Sequence, residues 1–534
     1  MEFNLADLFE CVVDAVPDRV ALVCGDRRLS YRDLDERANR LAHHLQSTGV
    51  KPGEHVGMYL YNSTEYVEGM LACVKIRAVP VNVNYRYVEG ELKYLFNDAD
   101  LVALLHQREF APRIAAVRDE VPKLRHLICV DDASGADVSG IGSIFFDEAT
   151  GAAAPDRAFE PRSPDDLFII YTGGTTGMPK GVMWRQEDIF FTAMGGGNPM
   201  GDPIEKPEQL GENAVKRDPP LTQFAVPPLI HGAAQLGVFI GLNWGDKVVL
   251  QHRFDPANAW DLVERERVNS MTLVGDAMAR PLAEVLTTQP KQRDLSSLIV
   301  LSSAGAVLSD AVKEQIKANV PNVMVMENFG ATETGHQGFE AVGAEKPASG
   351  LRFMMKPTTT VLDEDLNPVV AGSGVVGRVA LKGRIPLGYY NDPEKTAKTF
   401  VEAGGDRYVI PGDVGTIDAD GSVIVFGRGA VCINSGGEKI YPEEVENAVK
   451  AHPDVYDTII VGVPDERWGE RVAAVIQPRP GTAPTLESVQ EHCRTLIAGY
   501  KVPREVHLVD QMVRHPSGKP DYPWARGVAV GTAK

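Results

Sequence analysis

The sequence predicts an α/β protein made of a large N-terminal unit and a small C-terminal unit. Helical and strand-like apolar periods alternate from the first residues onward, which favours helices layered on a largely parallel sheet. The chain has 534 residues, more than one ordinary domain. Its net charge of −19 is divided unevenly, because residues 1–427 carry −18 and residues 428–534 carry −1. We therefore expect one domain over 1–427 and a second over 428–534.

The first elements follow from apolar spacing and helix caps. Apolar side chains in residues 5–16 repeat at helical spacing. Ser30 and Asp33 have the spacing of a capping box, which would begin a helix that Gly49 ends. After this helix, strands are predicted near 56–61, 78–83, 101–105 and 127–130, and a helix near 65–76.

Three later segments are predicted from their turn residues. The turn at 418–421 separates two apolar strands and predicts a β-hairpin. Residues 372–377, GSGVVG, match the dinucleotide-binding fingerprint, but a strand pattern follows where that fingerprint needs a helix, so we interpret them as a turn. The Gly- and Pro-rich segment 195–220 is either a surface excursion or a lid or wall over a substrate pocket.

Composition argues against several classes of protein. The acidic net charge disfavours sequence-independent binding of nucleic acid, which needs a basic surface. The six cysteines are scattered and form no C-x-x-C pair, which argues against a disulfide framework or zinc site and fits a reducing cytoplasm. The start of the chain lacks a basic region typical of secretory signals. The most apolar stretch, 224–244, contains prolines and is expected to be buried core, with peripheral membrane contact left open.

The first segment with recognisable chemistry is 166–181, DLFIIYTGGTTGMPKG. An apolar strand leads into a loop whose glycines let backbone N–H groups approach an anion, while threonines and a lysine add donors and positive charge. The loop differs from the phosphate loop of ATPases because Pro179 precedes the lysine and Gly181 follows it. The predicted phosphate-binding residues are Thr172, Gly173, Gly174, Thr175, Thr176, Gly177, Met178, Pro179 and Lys180.

This loop resembles the signature of the adenylate-forming superfamily, which comprises acyl-CoA synthetases, adenylation domains and luciferases. Six further segments resemble the superfamily's other signatures in the same order: SSAGAVLS (302–309), ENFGATETG (327–335), RYVIPGDVG (407–415), GRGAVCINSGGEKIYPEEVE (427–446), VGVPDERWGE (461–470) and PSGK (516–519). The resemblance implies stacked α/β lobes and a β-barrel-like lobe in the large domain. It also implies a small α+β domain that rotates.

The resemblance implies a reaction in two halves. A carboxylate attacks the α-phosphate of ATP to give acyl-AMP and pyrophosphate, and the thiol of CoA then displaces AMP. ATP, Mg²⁺ and CoA are the implied cofactors and co-substrates. Lys519 matches the catalytic lysine that bridges the α-phosphate and the carboxylate, Thr332 matches a contact to the α-phosphate, and Glu333 matches the Mg²⁺ ligand.

The same resemblance assigns the remaining binding residues. They are Gly305, Ala306, Asn328 and Phe329 for adenine, Asp413 and Arg428 for ribose, His231 at the mouth of the acyl pocket, and Gly436, Gly437 and Lys439 for CoA.

The sequence departs from the superfamily pattern at its pivot and in the loop. Ala430 and Val431 stand where relatives usually carry a Lys–Asp pair, so Gly427 and Gly429 are expected to serve as the hinge instead. Gly173 stands where serine is common, which removes one hydroxyl from the phosphate site.

The acid is expected to be a medium- or long-chain fatty acid or a sterol side-chain acid. The runs GMPKGVMWRQEDIF and DAMARPL resemble those of actinobacterial ligases for such acids. These acids need a wide apolar pocket, because each buried CH₂ contributes about 0.8 kcal/mol. Two alternatives stay open: an acyl-AMP ligase that loads a carrier protein, and a non-catalytic nucleotide- or acyl-binding relative. The expected partners are small molecules and not nucleic acid, with a homodimer left open.

Overall fold

The computed structural model of the chain describes residues 1–173, 178–198, 201–288, 292–320, 322–340, 347, 350–435, 438–515 and 518–533. Six predicted site residues lie outside the described residues: Gly174, Thr175, Thr176, Gly177, Gly436 and Gly437.

The helices in the described residues are α1 (Leu5–Ala15), α2 (Tyr31–Ser47), α3 (Thr64–Lys75), α4 (Glu89–Asp98), α5 (Ala111–Val117), α6 (Phe146–Gly151), α7 (Gln186–Ala193), α8 (Gln209–Lys216), α9 (Gly232–Asn243), α10 (Pro256–Glu266), α11 (Gly275–Thr288), α12 (Asp310–Asn319), α13 (Pro393–Thr399), α14 (Pro442–Lys450), α15 (Leu486–Arg494) and α16 (Tyr522–Ala529).

The strands up to residue 273 are β1 (Val20–Cys24), β2 (Arg27–Ser30), β3 (His55–Tyr59), β4 (Val79–Asn82), β5 (Leu101–Gln107), β6 (His126–Val130), β7 (Ile144–Phe145), β8 (Leu167–Thr172), β9 (Lys180–Arg185), β10 (Thr222–Ala225), β11 (Lys247–Leu250) and β12 (Ser270–Leu273). The later strands are β13 (Val300–Ala304), β14 (Met324–Ala331), β15 (Gly335–Glu340), β16 (Leu351–Met355), β17 (Thr359–Leu362), β18 (Gly377–Lys382), β19 (Gly388–Tyr389), β20 (Phe400–Ala403), β21 (Asp406–Val409), β22 (Asp413–Ile417), β23 (Val423–Arg428), β24 (Ile433–Ser435), β25 (Glu438–Ile440), β26 (Val455–Asp465), β27 (Gly469–Pro478) and β28 (Glu505–Leu508).

The predicted alternation of helices and strands is confirmed at the N-terminus. Ser30 caps α2, since its hydroxyl accepts the Asp33 N–H at 3.1 Å while Asp33 accepts the Ser30 N–H at 3.0 Å. The strand predicted at 56–61 ends earlier, at Tyr59. Ser63 caps α3 by accepting the Tyr66 N–H at 3.2 Å. The chain therefore turns toward this helix after Tyr59, although the apolar residues of the sequence pattern continue to Tyr61.

Two large sheets carry the N-terminal domain. One has eight strands in the order β19-β9-β8-β4-β3-β5-β6-β7, with parallel pairing from β8 to β7. The other has fifteen strands and begins with β2-β1-β11-β10-β12-β13-β14, in which all pairs after β2 are parallel. Apolar side chains of α1, α2, α3, α7 and α9 share a core with strands of both sheets. The expected α/β class is thus confirmed.

The second sheet continues as an antiparallel extension from β15 to β23, with β22, β18, β21 and β20 beyond it. This extension corresponds to the predicted barrel-like lobe, and it is continuous with the parallel strands. It contains the predicted hairpin as β22 and β23, joined at 418–421. The predicted turn precedes β18, which begins at Gly377, the last residue of the segment 372–377.

The C-terminal part folds on a separate five-stranded sheet. Its main order is β25-β24-β27-β26, and β28 pairs with β27. Helices α14 and α15 share one apolar cluster with this sheet, and α16 shares another. A small α+β domain therefore follows the large one. β23 ends at Arg428 and β24 begins at Ile433, whereas the exact division at 427/428 stays a prediction.

The segment 195–220 contains α8, which packs on α1. Leu210 and Ala214 of α8 are buried, and Arg19 donates to the Ala214 carbonyl at 2.7 Å. Part of this segment is therefore integral to the large domain, and whether it also walls a pocket stays open.

Cysteines and apolar stretches behave as the composition predicts. All six cysteines are free thiols. The apolar stretch 224–244 forms the end of β10 and α9, with much of it buried. Among the described residues, no helix has both the length and the apolar character needed to cross a bilayer.

Candidate active site

The predicted phosphate loop joins two antiparallel strands of the eight-stranded sheet. β8 ends at Thr172 and β9 begins at Lys180, and these two residues are directly paired across the hairpin. Thr172 and Lys180 are half-buried, Pro179 is buried and Met178 is exposed. The Thr172 hydroxyl and the Lys180 ammonium therefore lie side by side where the two strands join the loop.

The ammonium of Lys180 has a carboxylate partner. Its Nζ donates to Oδ2 of Asp392 at 2.6 Å, and it lies 5.9 Å from the centre of the Tyr389 ring. Asp392 also caps α13 by accepting the Lys395 N–H at 2.9 Å. The Lys180 side chain lowers the pKa of Asp392, so the carboxylate is charged near neutral pH.

Thr332 and Glu333 lie in the tight turn between β14 and β15. Thr334 holds this turn, because its hydroxyl accepts the Ala331 N–H at 2.9 Å. Trp184 of β9 donates to the Thr332 carbonyl at 3.0 Å, which ties the turn to the phosphate-loop hairpin. The hydroxyl of Tyr389 donates to Oε1 of Glu333 at 2.8 Å.

The predicted adenine residues follow two neighbouring parallel strands of the fifteen-stranded sheet. Gly305 and Ala306 come directly after β13, and Asn328 and Phe329 lie near the end of β14. Gly305 adopts φ +82°, a conformation that suits glycine. Because the carboxyl ends of parallel strands meet at one edge, these four residues lie together.

Asn328 is fixed by hydrogen bonds on both sides of its amide. Its Nδ2 donates to Oγ of Ser302 at 2.8 Å, and Nε2 of His336 lies 3.1 Å from its Oδ1. Burial, together with Lys356, lowers the pKa of His336 to about 4, so this imidazole is neutral. Phe329 contacts Phe353 with ring centres 5.3 Å apart.

The two predicted ribose residues face each other across the β22–β23 hairpin. Asp413 is buried, and its Oδ1 lies 3.2 Å from Nε of Arg428. Arg428 also donates to the Pro411 carbonyl at 3.1 Å. Burial raises the pKa of Asp413, while Arg428 and Lys519 oppose that rise by favouring the charged form.

Lys519 reaches this site from the small domain. Burial lowers the pKa of its ammonium, Arg428 lowers it further, and Glu333 and Asp413 act in the opposite direction. Lys519 is therefore within electrostatic range of Glu333, Asp413 and Arg428, although the four side chains come from four separate segments.

The described residues that were predicted to bind the acyl group and CoA are His231 and Lys439. His231 immediately precedes α9 and is half-buried, and the next residue, Gly232, packs on Ile170 of β8. Lys439 is exposed on β25, which forms a hairpin with β24.

Several residues that organise the site were not predicted from the sequence. Tyr389 and Asp392 hold Glu333 and Lys180. Asn82 is buried and donates to the carbonyls of both Tyr171 and Ile230, at 2.7 and 2.6 Å, which joins the phosphate hairpin to the His231 loop. The only sequence signal was the Asp-Pro pair at 392–393, typical of a helix start.

Comparison with known proteins agrees with this site. A profile of the AMP-binding enzyme family matches residues 9–390, and a profile of the AMP-binding enzyme C-terminal domain matches residues 444–519. A medium/long-chain-fatty-acid–CoA/3-oxocholest-4-en-26-oate–CoA ligase of Mycolicibacterium smegmatis is 49% identical over 533 residues, covering 99% of this chain and 97% of the relative. A 3-oxocholest-4-en-26-oate–CoA ligase of Rhodococcus rhodochrous is 46% identical over 532 residues, covering 98% of this chain and 96% of the relative.

Solved structures share the fold at lower identity. The crystal structure of the anthranilate CoA ligase AuaEII superposes with a TM-score of 0.86 at 24% identity, covering 99% of this chain and 98% of that one. MatB from Rhodopseudomonas palustris gives 0.81 at 24% identity, with 100% of both chains covered. The chain belongs to the AMP-binding enzyme family.

Proposed function

We propose that this chain is an AMP-forming acid–thiol ligase that converts a medium- or long-chain fatty acid, or a sterol side-chain acid, into its CoA thioester. The observation that carries the proposal is the pairing of Asp413 with Arg428 at 3.2 Å, with Lys519 of the small domain within electrostatic range of both. The acid is inferred from the names of relatives that are 46–49% identical over nearly the whole chain.

In the first half-reaction, a carboxylate oxygen of the acid bonds to the α-phosphorus of ATP, and the bond to the pyrophosphate oxygen breaks. Both reactants are anionic, so the residues must supply positive charge and orientation rather than a nucleophile. We assign Lys519 to the α-phosphate and the attacking carboxylate, Thr332 to the α-phosphate, and Lys180 to the departing phosphates.

The nucleoside is assigned to the strand ends of the large domain. Asp413 would accept both ribose hydroxyls, with Arg428 donating to the same sugar. The adenine would lie against Phe329 and the 305–306 loop, with the fixed Asn328 amide at its edge.

The donor set fits Mg²⁺. Glu333 offers a carboxylate oxygen, a hard ligand, and the Tyr389 hydroxyl holds its orientation. Glu333 would hold the ion together with phosphate oxygens of the nucleotide. When bound, Mg²⁺ supplies charge neutralisation for the phosphates.

In the second half-reaction, the CoA sulfur bonds to the acyl carbon and AMP leaves with the electron pair of the broken C–O bond. We assign Gly436, Gly437 and Lys439 to this step, after rotation of the small domain. A cytoplasmic location, a homodimer and peripheral membrane contact stay predictions.

The test is a panel of acids in an assay of pyrophosphate release and CoA-thioester formation. We expect activity with medium- and long-chain fatty acids or sterol side-chain acids, dependent on ATP, Mg²⁺ and CoA. Activity only on acetate or aromatic acids would contradict the substrate class. Acyl-AMP that is transferred to a carrier protein but not to CoA would favour the carrier-loading alternative, and absence of pyrophosphate exchange with every acid would favour the non-catalytic one.

A further inference from the structure

A cluster of charged side chains lies where the two domains meet, apart from the residues assigned above. Asp276 and Arg280 belong to α11 of the large domain, whereas Lys450, Asp457 and Arg514 belong to the small domain. The first four are buried, and the Arg514 side chain is 13% exposed. Charges buried to this degree are retained only when they are paired, so their partners define the geometry of the contact.

Asp276 is held firmly by the large domain. Its Oδ1 accepts the Ser309 N–H at 2.8 Å, and its Oδ2 accepts Nη2 of Arg280 at 3.0 Å. The ammonium of Lys450 approaches the same Oδ2 from the small domain at 3.4 Å. Lys450 is in turn 3.8 Å from Oδ1 of Asp457. One buried ammonium is therefore shared between a carboxylate of each domain.

Asp457 connects Lys450, through Arg514, to the loop that carries Lys519. Arg514 donates to both carboxylate oxygens of Asp457, from Nη2 at 2.7 Å and from Nε at 2.8 Å, which is a bidentate pair. Its remaining Nη1 donates at 3.2 Å to the carbonyl of Gly518, the residue before Lys519. One planar guanidinium thus fixes a main-chain group adjacent to the lysine.

The loop that carries Lys519, called here the lysine loop, also has hydrogen bonds between its own described residues and contacts the large domain. The Gly518 N–H donates to the His515 carbonyl at 2.8 Å, and the His515 N–H donates to the Lys519 carbonyl at 2.9 Å. Gly518 adopts φ +76°, and a Cβ there would lie 3.0 Å from the Ala277 side chain, next to Asp276. The loop therefore lies against the same helix that supplies the interdomain carboxylate.

We propose that Arg514 is a positioning residue for Lys519, and that the Asp276–Lys450 contact couples this positioning to the docking of the small domain. The proposal rests on the proposed function, in which Lys519 acts in acyl-AMP formation. Arg514 and Asp457 set the shape of the lysine loop within the small domain. Lys450 meets Asp276 in the domain orientation that brings Lys519 to Asp413, so the contact stabilises the adenylating orientation selectively.

The experiment measures the two half-reactions separately on the full-length chain. Pyrophosphate exchange reports acyl-AMP formation, and thioester formation from supplied acyl-AMP and CoA reports the second step. We expect Arg514→Gln to lower the kcat of exchange by about 10- to 100-fold, since misplacement of a reacting group by about 1 Å costs on this order. The KM for ATP and the thioester rate should stay within a few-fold of wild type, and Arg514→Lys should recover little because it lacks the bidentate geometry.

Lys450→Met tests the coupling across the interface. It should lower exchange while leaving thioester formation unchanged or faster, because the adenylating orientation loses its contact. Its effect should be less than additive with that of Arg514→Gln, since both act through the position of Lys519. The matched control is Arg479→Gln: Arg479 also bridges the domains, 3.5 Å from Glu284, but within the described residues it has no hydrogen bond or ion pair with the lysine loop.

Equal loss of both half-reactions in Arg514→Gln and Lys450→Met, or an equal effect of Arg479→Gln, would overturn the proposal. Melting temperatures verify that each variant is folded, and if Arg514→Gln fails to fold, Arg514→Lys and Lys450→Met carry the same comparison. Failure of the proposed function is distinguishable, because the wild-type chain itself would then be inactive in the exchange assay.

Discussion

The hydroxyl of Tyr389 donates a 2.8 Å hydrogen bond to Oε1 of Glu333, and the same tyrosine ring lies 5.9 Å from the ammonium of Lys180. One side chain therefore contacts both the proposed metal ligand and the proposed phosphate lysine. Tyr389 lies on the short strand β19, which pairs with β9, the strand that begins with Lys180. The carboxylate and the ammonium are thus held relative to each other by a group that is not charged at neutral pH.

Tyr389→Phe should weaken the binding of Mg²⁺. A hydrogen bond to a charged group contributes about 1.5–3 kcal/mol, so we expect the apparent Kd for Mg²⁺ in pyrophosphate exchange to rise by roughly tenfold or more. Tyr390→Phe is the matched control, because its hydroxyl donates to Asp100 at 3.0 Å. Equal Mg²⁺ titration curves for the two variants would contradict the role of Tyr389.

Asp392→Asn should strengthen the binding of ATP. The substitution removes the charge that holds Lys180, while asparagine still caps α13. We expect the KM for ATP to fall by a few-fold, consistent with about 1 kcal/mol for a partly exposed pair. Asp406→Asn, which breaks an exposed pair with Lys382, should leave this KM unchanged. A higher KM in Asp392→Asn would show that the pair positions Lys180 for the phosphates.

Lys519→Ala should separate the two half-reactions. Removing one transition-state donor typically costs about 10²- to 10³-fold, so pyrophosphate exchange should fall by about that factor. Thioester formation from supplied acyl-AMP should stay near the wild-type rate. Lys439→Ala should show the reverse pattern, and loss of both half-reactions in Lys519→Ala would refute the assigned role.

Gly427→Ala should destabilise the region between the domains. Gly427 has φ +125°, and a Cβ there would clash with the carboxyl group of Glu443, so both the backbone and the contact would be strained. Gly421 has φ +84°, and no atom of the described residues lies within 4 Å of the place that a Cβ would occupy, so Gly421→Ala should cost only about 1 kcal/mol. Thermal unfolding of both variants tests this, with a clearly lower Tm expected for Gly427→Ala.

Glu443 should make stability fall as the pH rises. Burial raises the pKa of its carboxyl from 4.5 to about 8, with Glu446 adding to the rise. Between about pH 4.5 and pH 8 the folded state therefore binds a proton that the unfolded state releases, and the free energy of unfolding decreases with pH. In Glu443→Gln this part of the pH dependence should disappear and the Tm at pH 8 should rise. The exposed Glu491→Gln is the control, and parallel Tm–pH curves for wild type and Glu443→Gln would contradict the assignment.

The sequence predicted elements well where their signals are local. The capping box at Ser30, the hairpin at 418–421 and the apolar strand before the phosphate loop depend on neighbouring residues, and all are confirmed. The strand at 56–61 was predicted too long, because buried apolar residues continue past its last ladder partner into the turn before α3. Apolar alternation reports burial, and burial extends beyond the strand itself.

The sequence by itself determined the family and the chemistry, because each signature residue carries its own chemical property: an ammonium at Lys519, a carboxylate at Glu333, a flexible backbone at Gly305. Only the tertiary structure decided which groups support them. Tyr389 is 56 residues from Glu333, and Asp392 is 212 residues from Lys180. Contacts at such separations depend on the order of strands and on the docking of two domains, and no local pattern of apolar or polar residues encodes either.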